Sequence, residues 1–151
     1  MYLSKKRSYF TAIIATLFLL FSMPAQAKQD GFSDEELKGF ANAVVQVISL
    51  QQQGQMQMMQ KIEEYEMTVQ RFNELYMQAM EMPLDEIDGT EAEIEVFIDL
   101  TEEIEYIQIE LEAVIIGKIE DEGLTVEKYE EIMAAYQQNP EVQQRVQKLM
   151  Q

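Results

Sequence analysis

The sequence predicts an all-α protein: a long helical hairpin with coiled-coil-like heptad seams, followed by a C-terminal helix-turn-helix. Apolar residues recur at alternating spacings of three and four through most of residues 33 to 149, as they do on the buried face of a helix. Residues that commonly begin helices precede the apolar runs, and turn formers separate them. Only EAEIEVFI alternates like a strand, and it continues into a three-four pattern.

The first helix is predicted to span about residues 33 to 81. Ser33 and Glu36 form a capping-box pattern at its start. One apolar register then runs through Leu37, Ala41, Val44, Ile48, Gln51, Gln55, Met58, Ile62, Tyr65, Val69, Phe72, Tyr76 and Ala79. Gly54 and the two glutamines weaken this register in the stretch QQQGQMQMMQ. The registers on either side agree, so the helix is predicted to continue through Gly54.

The second helix is predicted over about residues 90 to 122. The turn formers of MPLDEIDGT precede it, and Thr90 with Glu93 offers another capping box. Gly123 is suited to end it, because glycine tolerates the left-handed conformation of a helix C-cap. Its predicted inward residues are Ile94, Phe97, Ile98, Leu100, Ile104, Ile107, Leu111, Val114 and Ile115.

Two short helices complete the predicted fold, over about residues 126 to 138 and 140 to 150. Thr125 precedes the first of them. Asn139 is the expected cap of the last helix, with Pro140 at its first position.

Residues 1 to 27 have the pattern of a cleavable signal peptide. Basic residues (Lys5, Lys6, Arg7) precede an apolar run from Phe10 to Phe21 and an A-x-A end at Ala27. The run is shorter than the roughly 20 residues that span a bilayer. We therefore expect a periplasmic or secreted protein, with residues 28 to 151 forming a single domain that has no membrane segment after cleavage.

The chain is strongly acidic. Residues 1 to 27 contain three of its 11 basic residues and none of its 28 acidic ones, so residues 28 to 151 carry eight basic and 28 acidic groups, a net charge of −20. This charge repels nucleic acid and anionic lipid. Cations, a basic partner or solubility in a salty medium, as for a structural protein without a specific ligand, remain as explanations.

A contact function is the leading interpretation, through an unknown protein partner or a homo-oligomer. Aromatic and thioether side chains supply large contact areas. The seam residues expected to form this surface are Met58, Ile62, Tyr65, Val69, Phe72 and Tyr76.

The alternative interpretation is a periplasmic protein that binds cations or buffers copper. Thioether sulfur is a ligand for Cu(I), and methionines three residues apart lie on one helix face. The candidate ligands are Met56, Met59, Met77 and Met80. Nine acidic residues without a basic one, between residues 91 and 112, are a second candidate for cations or for a basic partner.

Catalysis is not expected, and no cofactor is predicted. The chain contains no histidine and no cysteine. The only serines after residue 27 are Ser33, which is expected to cap a helix, and Ser49, which lies within one without an evident base.

Two segments, FSDEELKGFANAVVQV (32–47) and GLTVEKYEEIMAAYQQNPEVQQRV (123–146), resemble the exported bacterial family called domain of unknown function 4168. The resemblance implies an exported helical domain and brings no activity or established site. Residues 51 to 116 do not visibly follow the family pattern. The matching positions are Phe32, Leu37, Phe40, Ala43, Gly123, Leu124, Tyr129, Ile132, Pro140 and Val142. The second segment is expected to dock on the first.

Overall fold

The computed structural model describes residues 31–150, and the predicted signal peptide lies outside them. The described residues contain no strand, so the all-α prediction is confirmed. The predicted bounds of the second helix and of the two short helices agree with the structure to within one residue. The five helices are α1 (Asp34–Glu64), α2 (Val69–Glu81), α3 (Glu91–Asp121), α4 (Val126–Gln138) and α5 (Pro140–Leu149), with a 3-10 turn at Leu84–Glu86.

The prediction of one helix over residues 33 to 81 was wrong. Helix α1 runs through Gly54, as predicted, but it ends at Glu64. The N–H of Met67 then donates to the carbonyl of Ile62 at 3.2 Å, which is the long-range bond of a Schellman C-cap. Glu66 has a φ of 56° at this point, and Thr68 begins α2 by accepting from the N–H of Arg71 at 3.1 Å.

The first four helices form a tandem repeat that was not predicted from the sequence. Helices α1 and α3 each have 31 residues, and α2 and α4 each have 13. Every boundary of the second pair lies 57 residues after its counterpart: 34 and 91, 64 and 121, 69 and 126, 81 and 138. The sequence IEEYEMTV (62–69) corresponds to IEDEGLTV (119–126).

The two repeats use equivalent caps. Ser33 and Thr90 each precede a long helix and accept from the N–H three residues later, at 3.1 and 3.2 Å. Thr68 and Thr125 do the same for the two short helices. The chain therefore contains two copies of one local design.

The repeats differ where each long helix ends. Gly123 has a φ of 77° and Glu66 a φ of 56° at equivalent positions. The left-handed conformation costs a residue with a Cβ about 1–2 kcal/mol. Glycine avoids this cost but loses more conformational entropy on folding, which offsets part of the difference. We expect Glu66→Gly to raise the free energy of unfolding by about 0.5–1 kcal/mol. Urea denaturation measures it, and Gly123→Glu, the reciprocal change, is expected to have the opposite sign.

The sequence predicted one domain, and the described residues group into two compact units. The first comprises residues 52–110, and the second comprises 31–51 with 111–150. Each unit has its own hydrophobic core. The unit of residues 52–110 contains the end of α1, α2 and the start of α3. The other unit contains the start of α1, the end of α3, α4 and α5.

Equivalent aromatic pairs lie in the two cores. In the unit of residues 31–51 and 111–150, the ring of Phe40 packs on Tyr129 with centroids 5.2 Å apart and planes tilted by 43°. In the unit of residues 52–110, Phe97 packs on Phe72 at 5.5 Å and 49°. Phe97 is the repeat equivalent of Phe40, and Phe72 is that of Tyr129, so the same packing solution occurs twice.

Three apolar residues predicted to face inward, Ile48, Val69 and Val114, are exposed. Ile48 on α1 and Val114 on α3 are half exposed, whereas Val47 and Ile115 beside them are buried. Both segments carry adjacent apolar residues, VVQVISL and AVII, so more than one three-four register fits them. In the structure one of these registers is buried, and the apolar residues beside it are exposed.

Candidate functional site

The predicted association seam lies largely inside the unit of residues 52–110. Ile62, Phe72 and Tyr76 are buried there, in a core that includes residues of α3. Burial also raises the pKa of the Tyr76 hydroxyl. The prediction that these three residues form an open seam is therefore wrong, because apolar residues of the same chain cover them.

The other seam residues are more accessible. Met58 and Tyr65 are partly buried against the same core, and Val69 is exposed at the start of α2. The Sδ of Met58 accepts a hydrogen bond from the Nε2 of Gln108 at 3.8 Å. Met58 thus has an intramolecular polar contact of its own.

The family-like positions converge in the other unit. Leu37, Phe40, Ala43, Leu124, Tyr129, Ile132 and Val142 share its core, and Phe32 packs against it. Burial raises the pKa of Tyr129 to about 12. Gly123 forms the C-cap after α3, and Pro140 is the first residue of α5. The predicted docking of the second segment on the first is confirmed.

Basic side chains hold Phe32 at the start of α1. The guanidinium of Arg145 donates to the Phe32 carbonyl at 3.0 Å and pairs with the Asp34 carboxylate at 2.6 Å. The Nζ of Lys128 lies 5.7 Å from the centroid of the Phe32 ring, within cation–π range. Two of the few basic residues of this acidic chain therefore attach the segment at the start of α1 to α4 and α5.

The start of α1 approaches the end of α3 very closely. A Cβ built on Gly39 would lie 2.5 Å from the carbonyl oxygen of Glu122. The carboxylate of Glu122 accepts from the Nδ2 of Asn42 at 2.9 Å and from the Nε2 of Gln46 at 2.8 Å. Gly39, which was not among the predicted site residues, is thus required for this contact.

An ion-pair network joins α2 to the start of α3. Arg71 donates to both carboxylate oxygens of Glu93, at 2.7 and 2.9 Å, and to the carbonyl of Asp88 at 2.7 Å. Hydrogen bonding by Arg71 lowers the pKa of Glu93, and the same contact raises the pKa of Arg71. At the equivalent position Glu36, the hydrogen bond from the Ser33 backbone is the main cause of a lowered pKa, and Lys128 contributes.

The Arg71–Glu93 pair predicts a pH dependence of stability. The carboxyl pKa is lower in the folded chain than its ordinary value of 4.5. The stabilisation is therefore complete above that value and is lost as the pH falls through the folded pKa. We expect Glu93→Gln to reduce the loss of melting temperature between pH 6 and pH 3. The same loss of melting temperature as in the wild type would contradict this prediction. Glu91→Gln, at an exposed neighbouring position, is the control.

The candidate copper ligands are all on the surface. Met56 and Met59 lie on α1, Met77 and Met80 on α2, and their exposed fractions range from 46 to 61%. Within residues 31–150, no group of three or more acidic, histidine or cysteine side chains is placed to hold a metal ion. Most acidic residues between 91 and 112 are exposed along α3.

Helix α1 exposes apolar side chains in each unit. In the unit of residues 31–51 and 111–150 these are Val45 and Ile48, exposed by 55 and 50%, and in the unit of residues 52–110 they are Met56 and Met59, exposed by 52 and 46%. Residues 39 to 60 contain no charged side chain, although 26% of the whole chain is charged. Met56 and Met59 were predicted only as metal ligands, and Ile48 was predicted to be buried. The dense run VVQVISL was the available signal for a second apolar side.

These features define an acidic all-helical protein with two hydrophobic cores built from a tandem helical repeat. None of the helices described is both long and apolar enough to cross a membrane. The chain belongs to the family described as domain of unknown function (DUF4168), whose model matches residues 33–146. The match includes residues 51 to 116, so the view that this middle part departs from the family is corrected. No curated protein and no solved structure matches the chain.

Proposed function

We propose that this protein is an exported, non-enzymatic helical protein that acts by contact with another protein chain through the exposed apolar side chains of α1. The observation that carries the proposal is the accessibility of four large apolar side chains on an uncharged stretch of an otherwise acidic protein. Exposed apolar surface costs free energy in water, and its burial by a partner recovers it.

The residue chemistry supports a contact role over catalysis. A chain without histidine or cysteine lacks the usual general base and the most reactive nucleophile. The hydroxyl of Ser33 is engaged in the cap of α1, where it accepts from the N–H of Glu36 at 3.1 Å. The Arg71–Glu93 pair joins two helices of one unit, which is a structural task.

Site-specific photo-crosslinking in the exporting cell tests the contact. A photoreactive amino acid at Ile48 is expected to give a crosslinked product. The same residue at Gln57, which is exposed on a different side of α1, is expected to give none. Mass spectrometry of the product identifies the second chain. Absence of a product at Ile48 would overturn the proposed function.

Export is part of the proposal and rests on residues 1 to 27. The purified periplasmic or secreted protein is expected to begin at Lys28, as measured by intact mass. Ala25→Leu removes a small residue that the A-x-A cleavage pattern requires and is expected to leave the precursor uncleaved. A full-length wild-type chain in the mature fraction would refute the cleavage.

Copper buffering is the second candidate, because all four candidate methionines are exposed. Competition with a chromogenic Cu(I) chelator tests it. If it holds, the wild type withdraws copper and the paired variant Met77→Leu/Met80→Leu, which preserves apolar volume, withdraws less. A wild type that withdraws none removes this candidate.

A further inference from the structure

We infer that four exposed methionines of the unit of residues 52–110 form an oxidation site, at which hypohalous acids convert the thioethers to sulfoxides while the chain stays folded. We call them the methionine site: Met56, Met59, Met77 and Met80. The inference goes beyond the proposed contact function and does not depend on it. It rests on where these methionines lie, on the residues at the equivalent positions of the other repeat, and on the different placement of Met67.

Methionine accounts for most of the large apolar side chains that this unit exposes. Seven such side chains are exposed in residues 52–110, and four of them belong to the methionine site. In the other unit, Met150 is the one methionine among five. Methionine more often fills gaps inside a core. Its concentration at the surface of one unit indicates a use for the sulfur rather than for the apolar volume.

The repeat shows that the helices do not need sulfur at these positions. The residues that lie 57 positions later are Ala113 and Ile116 on α3, and Ala134 and Gln137 on α4. None of them contains sulfur, although the equivalent helices have the same lengths. Helices of this design therefore form with or without methionine there, which leaves the four methionines available for a chemical role.

The methionine site is open to an oxidant in solution. The exposed fractions of its four side chains range from 46 to 61%, and the residues of each pair, three apart on α1 or on α2, share one side of their helix. Susceptibility to oxidation follows exposure. Because the chain contains no cysteine, a thioether is its most readily oxidised group.

The reaction balances with the oxidant alone. A lone pair of the methionine sulfur attacks the oxygen of hypochlorous acid, and the S–O bond forms as the O–Cl bond breaks. Chloride leaves with the electron pair, and the hydroxyl proton passes to water. Sulfur thereby loses two electrons and chlorine gains two. Methionine sulfoxide reductases, one for each epimer, reverse the change with two electrons and two protons from a dithiol, and the oxygen leaves as water.

Met67 is protected by the same unit that exposes the methionine site. Its side chain is only 8% exposed and lies in the core with Ile62 and Phe72. A sulfoxide is polar, and burial of a polar group without a hydrogen bond is costly. Oxidation of Met67 would therefore disrupt this core, whereas oxidation of the methionine site leaves the buried side chains unchanged. The site consumes oxidant that would otherwise damage the fold.

Peptide mapping by mass spectrometry tests the order of reaction. Residues 28–151, freed of metal on a chelating resin, are treated with limiting hypochlorous acid. The methionine site and the exposed Met150 are expected to gain oxygen first, with the oxidised fraction of Met67 at least about tenfold lower. The melting temperature of this product is expected to stay within about 5 °C of the untreated protein.

Two results of that experiment would overturn the inference. One is oxidation of Met67 to the same extent as the methionine site. The other is the loss of cooperative melting in a product that is oxidised only at the methionine site and Met150.

Leucine variants test whether the site consumes the oxidant. The variant with leucine at all four positions of the methionine site keeps the apolar volume and is expected to take up about four fewer equivalents before the melting temperature falls. The pair Met77→Leu/Met80→Leu is expected to remove about two. Met67→Leu is the control and is expected to leave this uptake unchanged. Equal uptake by the wild type and the fourfold variant would contradict the proposal, and circular dichroism shows that each variant folds.

Reduction tests whether the site is regenerated. Incubation of the oxidised chain with both reductases and a dithiol is expected to remove the added oxygen from all four residues of the methionine site. Sulfoxides that persist there would overturn regeneration. The photo-crosslink at Ile48 reports on the contact function alone, so the failure of either proposal leaves the other standing.

Discussion

Replacing Phe40 with alanine is expected to lower the free energy of unfolding by about 3–5 kcal/mol. The side chain is only 1% exposed and packs on Tyr129 and Tyr136, with ring centroids at 5.2 and 6.0 Å. Alanine would remove the apolar burial and both aromatic contacts, and would leave a cavity between helices that belong to one core. Urea denaturation followed by circular dichroism measures the loss.

The repeat supplies a matched second test. Phe97 is 0% exposed and is the equivalent of Phe40 in the unit of residues 52–110, so Phe97→Ala is expected to cost a similar amount. Val45→Ala, at an exposed site, is expected to change the free energy by no more than about 0.5 kcal/mol. Amide exchange is expected to rise first in the unit that holds each replaced phenylalanine. A loss below about 1 kcal/mol at either position would contradict the described core.

The second large effect is expected at Gly39. Gly39→Ala would place a Cβ 2.5 Å from the carbonyl oxygen of Glu122, a backbone atom that cannot rotate away. Relief requires the start of α1 to move from the end of α3, which also strains the hydrogen bonds of Asn42 and Gln46 to Glu122. We expect the free energy of unfolding to fall by about 1–3 kcal/mol.

Gly117 is the control for this prediction, since it also lies within a long helix but has nothing within 4 Å of its Cβ position. Gly117→Ala removes the conformational penalty of a helical glycine and is expected to raise the free energy of unfolding by about 0.5–1 kcal/mol. The two substitutions therefore have opposite signs. A stabilising Gly39→Ala would show that the helices are not as close as described.

Helix boundaries were predictable wherever the signal was local. Ser33, Thr90 and Asn139 cap helices, and Gly123 ends one, because each acts through hydrogen bonds or backbone conformation within a few residues. The break after Glu64 was missed because Glu66 occupies the position where glycine would have marked a C-cap. Thr68, which matches Thr125 in the second repeat, was the signal available there.

The tandem repeat was not predicted, for a similar reason. Few residues are identical at equivalent positions, and the clearest agreement is confined to the short segments 62–69 and 119–126. What the repeats share is helix length, cap position and the place of buried aromatic residues, and different side chains can meet each of these requirements. Phe72 and Tyr129 illustrate this, since both pack on a phenylalanine of the other repeat.

The sequence by itself determined the helical class, most helix ends and the family, since these depend on local hydrogen bonding, periodicity and matching residues. The tertiary structure alone decided which side of α1 is buried. Apolar residues occur on two sides of that helix, and periodicity cannot choose between them. Packing buried Val47 and Ile62 and left Ile48 and Met59 outside. The predicted seam thereby became largely core, and the accessible apolar surface came to lie on a different side of the helix.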